Sequence, residues 1–80
     1  MPSFELRVSN NSSKNIAFYL EPWGGKYKVP SHGALRIVIE SPGIPEIEWE
    51  FTDDVHTFSV NDPPGTLARV YDGENQVRAE

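Results

Sequence analysis

Apolar side chains recur at every second position through most of the chain, and the three-to-four spacing of a helix hardly occurs. Phe4, Leu6 and Val8 alternate with Glu5 and Arg7, which predicts a half-buried strand. Ile16, Phe18 and Leu20 alternate with Ala17, Tyr19 and Glu21 and predict a second. Between them Asn10-Asn11-Ser12-Ser13-Lys14 reads as a turn, because short polar side chains bond their own backbone. The two runs are therefore expected to pair as a hairpin.

Pro22-Trp23-Gly24-Gly25 ends the second run, and a short strand over Lys26–Val29 stops at Pro30-Ser31-His32-Gly33. Leu35–Ile39 is the most apolar segment and the expected centre of the core. Ser41-Pro42-Gly43-Ile44-Pro45 is another turn, since proline supplies no ladder donor in a central strand. Glu46–Phe51 gives the cleanest alternation in the chain, with three carboxylates on one face and three large apolar groups on the other. Asp53-Asp54 leads into Val55–Val60, and Asn61-Asp62-Pro63-Pro64-Gly65 is a rigid loop. Leu67–Tyr71 and Glu74–Ala79 flank Asp72-Gly73, the signal of a type I′ hairpin. Seven or eight short strands, with turns every 8–12 residues, predict one all-β domain spanning residues 1–80. The architecture expected is a compact antiparallel β-sandwich or barrel.

Composition narrows the chemistry more than it selects it. The 80 residues hold 7 Lys+Arg against 12 Asp+Glu, a formal net charge of -5. Nucleic-acid binding needs clustered Lys and Arg to neutralise phosphates, and attraction to an anionic membrane needs the same, so neither is expected. With no cysteine, disulfides, thiolate metal sites and a Cys nucleophile are excluded. No apolar run approaches a membrane span, and the start Met1-Pro2-Ser3-Phe4-Glu5 lacks the basic and apolar regions of a secretory signal, so a cytoplasmic location is expected.

Catalytic and metal chemistry find little support. His32 and His56 stand 24 positions apart, too few ligands for zinc or copper, and copper-binding sandwiches need a Cys that is missing. Asp53, Asp54, Asp62, Asp72 and Glu74 occur where turns need them, without the oxygen spacing of a calcium loop. There is no G-x-S-x-G elbow and no phosphate-cradling glycine pattern. Carboxylates on an exposed strand face stay solvated and ionised, unlike an acid catalyst. No enzyme activity and no cofactor are expected.

Two features do point outward. Glu40, Glu46, Glu48, Glu50, Asp53 and Asp54 place half of the chain's acids in one stretch without a Lys or Arg. If Trp49 faces the core, Glu46, Glu48 and Glu50 form a one-sign row in solvent, which weakens the strand slightly by repulsion. Such a row suits a basic protein surface, including one that normally holds nucleic acid; it also protects an edge strand against unwanted pairing. Trp23, in a Pro/Gly loop with Tyr27 just beyond, is either a lid on the core or an exposed binding anchor.

The stretch from Val8 to Ile39, with Leu20-Glu21-Pro22-Trp23-Gly24, Tyr27 and the Pro30–Gly33 turn, resembles small bacterial and phage β-proteins carrying an L-E-P-W-G motif. The resemblance implies a cytoplasmic bacterial or phage origin and carries over no activity or site residue. The function expected is a non-enzymatic protein-binding module. Its site would combine Glu46, Glu48, Glu50, Asp53 and Asp54 as an electrostatic face with Trp23 and Tyr27 as an aromatic anchor. A phage-type inhibitor of the anti-CRISPR kind, whose acidic face occupies a nucleic-acid channel, is a specific form of it. The alternatives are a small-molecule-binding domain around Trp23 and His32, and a structural or oligomer-forming module.

Overall fold

A computed structural model describes residues 2–52, 55–61 and 65–80. Among these residues eight strands follow one another: β1 (Ser3–Ser9), β2 (Ile16–Glu21), β3 (Gly25–Val29), β4 (Ala34–Glu40), β5 (Glu46–Thr52), β6 (Val55–Asn61), β7 (Leu67–Asp72) and β8 (Asn75–Val77). They form two four-stranded sheets, ordered β1-β4-β7-β8 and β3-β2-β6-β5, so of the two expected architectures the sandwich fits. All pairings are antiparallel except β2–β6, which run parallel with Phe18 opposite His56 and Leu20 opposite Phe58.

The period-two pattern is converted directly into the core. Phe18, Leu20 and Val29 from one sheet meet Leu35, Ile37, Ile39 and Val70 from the other, all buried, with Phe58 and Val60 beside them. Central strands β4, β2 and β6 supply most of these residues, and Phe4, Leu6 and Val8 of edge strand β1 pack on them half-buried. Burying nine such side chains at about 1.5–3 kcal/mol each is the main force holding the sheets together.

The expected β1–β2 hairpin is not formed: β1 pairs with β4, and β2 with β3 and β6. The intervening segment is a turn, as its composition requires, but it carries the chain from one sheet to the other. Asn10 is buried there; its Nδ2 donates to Lys14 O (2.7 Å) and Val29 O (3.1 Å), and its Oδ1 accepts from Ser12 N (3.0 Å). Because both flanking strands have one apolar face, alternation alone cannot say whether they share a sheet. The late hairpin forms one residue further on than expected. Asp72 pairs with Asn75, leaving Gly73 and Glu74 as the turn. Gly73 has φ 61° and Glu74 is not in the positive-φ region, the pattern of type II′ rather than I′.

The two long sides of the sandwich end differently. On the β3 side, Glu80 N donates to Lys26 O at 2.9 Å and Ala79 lies against Gly25, so the chain after β8 covers the β3 edge. On the other side β1 and β5 are the outermost strands, and among the described residues neither has a strand beyond it.

Candidate functional site: the β5 edge

Among the described residues strand β5 pairs only with β6, and all seven of its residues are exposed. The register puts Glu46, Glu48 and Glu50 opposite Asn61, Ser59 and Thr57 on the outer face. Same-face residues stand about 6.5–7 Å apart along a strand, so the three carboxylates form one short row. Among the described residues no Lys or Arg pairs with them; the ion pairs are Lys28–Glu80, Arg36–Glu5 and Arg69–Glu40. The expected acidic row is therefore present and directed at solvent. Asp53 and Asp54, expected to extend it, lie outside the described residues.

The opposite face differs from expectation in burial. Ile47, Trp49 and Phe51 stand opposite Val60, Phe58 and His56, on the core side of the sheet. Yet Trp49 is 62% and Phe51 59% exposed, whereas Phe58, its neighbour across the ladder, is 8% exposed. Apolar cover from the facing sheet thus ends over β6, and β5 overhangs it. An alternating strand reports which side is apolar, not whether anything lies opposite it.

His56 gives this overhanging row its order. Its ring stacks on Phe51 at 4.5 Å and on Trp49 at 5.8 Å between centroids, and its Nδ1 accepts the Trp49 indole N–H at 3.2 Å. Trp49 continues to Phe58 (6.2 Å), Phe58 to Phe18 (5.5 Å, edge-to-face) and Phe18 to Tyr27 (5.3 Å). Six rings thus cross the inner face of one sheet, from a solvated edge into the core and out to β3. Trp49 borders a cleft of about 280 Å³, whose other walls are Leu6, Arg7, Val8 and Ser9 of β1, Ile16 of β2, and His56 and Phe58 of β6. His56 showed in the sequence only as a strand histidine; nothing there reveals that two aromatics from the next strand enclose it.

Tyr27 and Trp23 lie elsewhere. Tyr27 is half-buried on β3 and packs against the core, at the opposite edge of the sheet from β5. Trp23 occupies the β2–β3 turn and is 42% exposed. The carboxylate row and the Trp23–Tyr27 pair are thus separate places, with β2 and β6 between β3 and β5. His32 sits in the turn before β4 at φ 59°, where Gly33 N donates to Pro30 O at 2.9 Å.

Among the described residues no group of three or more His, Asp or Glu side chains could hold a metal ion, and no helix is long and apolar enough to cross a membrane. Set against family models, curated proteins and solved structures, the chain matches none of them.

Proposed function

We propose that the domain is a non-enzymatic protein-binding module that docks a basic partner on β5. The observation that carries this reading is an edge strand, paired on one side with β6, with carboxylates on one face and exposed aromatics on the other. Charge alone gives orientation and encounter rate; apolar contact gives residence. Glu46, Glu48 and Glu50 supply the first, Ile47, Trp49 and Phe51 the second. Edge protection can account for the carboxylates, but structural economy accounts poorly for the exposed aromatics, since a small domain gains by burying them.

The test compares wild type with Glu46→Gln/Glu48→Gln/Glu50→Gln and with Trp49→Ala in binding poly-L-lysine, a purely electrostatic probe. Wild type is expected to bind, salt to weaken the complex, the triple variant to lose it and Trp49→Ala to keep it. Equal binding by wild type and triple variant would place basic recognition elsewhere and overturn the reading.

A further inference from the structure

We infer that the partner of β5 is an extended protein segment with Lys or Arg at alternate positions and apolar residues between them, added to the four-stranded sheet as a fifth strand. The inference rests on the docking reading above and specifies its geometry. An edge strand offers a row of unpaired backbone N–H and C=O groups, and an added strand satisfies them while laying side chains alternately on both faces. On β5 those faces have opposite character, so complementarity on both requires an alternating segment. Cations meet Glu46, Glu48 and Glu50 on the outer face, and apolar side chains cover Ile47, Trp49 and Phe51 on the inner one. The inner residues would also close the cleft between Trp49 and β1.

Other occupants fit less well. A second copy of β5, paired antiparallel with its faces in register, sets glutamate against glutamate, and slipping by one residue sets glutamates among aromatics. The β3 edge of a second copy has the right chemistry, with Lys26 and Lys28 outward and Tyr27 and Val29 inward. That edge is occupied: Lys26 O accepts from Glu80 N, Lys28 pairs with Glu80, and Ala79 packs at Gly25. Strand β1 is also outermost in its sheet, but its outer face mixes Glu5 with Arg7 and its apolar residues are half-buried already.

The experiment uses the peptide Lys-Val-Lys-Val-Lys-Val-Lys, as long as β5, on the full chain. Its comparators are a block peptide of the same composition and two versions with N-methyl groups on the odd or the even backbone nitrogens. The alternating peptide is expected to bind at least about tenfold tighter than the block peptide, and to slow amide exchange in residues 46–52. Only one N-methyl version should retain binding, because only one set of nitrogens faces β5. Equal binding by both N-methyl versions, or no preference for alternation, would overturn strand addition. Poly-L-lysine binding lost in the Glu→Gln variant would still support electrostatic docking, so the two readings fail separately.

Discussion

Trp49 donates its indole N–H to Nδ1 of His56 at 3.2 Å with the two ring planes within 18° of parallel, so the neighbouring strand holds a largely exposed tryptophan in one orientation. An anchor fixed before binding loses less side-chain freedom when a partner arrives.

Replacing His56 by Ala should therefore free Trp49 without unfolding the domain. The loss combines the ring contacts with Trp49 and Phe51 and one exposed hydrogen bond, a cost of about 1–2 kcal/mol. Trp23 and Trp49 are the chain's two tryptophans, so a Trp23→Phe background isolates the signal. In that background His56→Ala should red-shift Trp49 emission and make it more accessible to acrylamide. Unchanged emission and quenching would mean that His56 does not order the indole.

Trp49→Ala and Phe18→Ala should separate recognition from folding. Phe18 is fully buried between Tyr27 and Phe58, and its truncation should cost about 3–5 kcal/mol, a large share of a small domain's stability. Trp49 is mostly solvated, so its truncation removes mainly two stacking contacts and should cost about 1–2 kcal/mol. Urea unfolding of both variants checks the ranking; comparable losses would show that β5 belongs to the core.

Asn10→Ala should destabilise far more than Asn11→Ala, although both lie in one polar turn. Asn10 is buried and satisfies the carbonyls of Lys14 and Val29, which would be left without this donor. Removing it should cost about 2–3 kcal/mol, or roughly 10–20 °C in Tm for a domain of this length. Asn11 is exposed, and its substitution should stay within about 0.5 kcal/mol. Equal melting temperatures for the two variants would deny Asn10 its role in the crossing between sheets.

Asn10 also shows where sequence reading stops. Alternation at Phe4–Val8, Leu35–Ile39 and Glu46–Phe51 identifies strands and their apolar faces because side chains change sides at every residue. Which strand lies alongside is decided by contacts distant in sequence, so a polar turn that reverses the chain looks like one that crosses between sheets. The acidic row was legible for the same local reason. The exposure of Trp49 was not, since it depends on where β1 ends the opposing sheet. His56 needed the β5–β6 register to bring Trp49 and Phe51 onto its ring. At the late hairpin, Asp72-Gly73 located the turn, but the ladder extends through Asp72 and places Gly73 first in the loop.

The Glu46→Gln/Glu48→Gln/Glu50→Gln variant should be at least as stable as wild type, yet more prone to associate with itself. Along one face of β5 the three carboxylates repel one another and have uncharged partners across the ladder, so neutralising them removes a cost of a few tenths of a kcal/mol per pair. The same change removes the barrier between two copies of an edge that still exposes Ile47, Trp49 and Phe51. Thermal unfolding should show an equal or higher Tm, and sedimentation velocity should show the variant self-associating at concentrations where wild type sediments as a monomer. Salt should move wild type in the same direction, because screening contracts to about 3 Å near 1 M, well inside the spacing of the carboxylates. A monomeric variant with a lowered Tm would mean that the glutamates stabilise the strand, and would remove the argument that the row is kept for recognition.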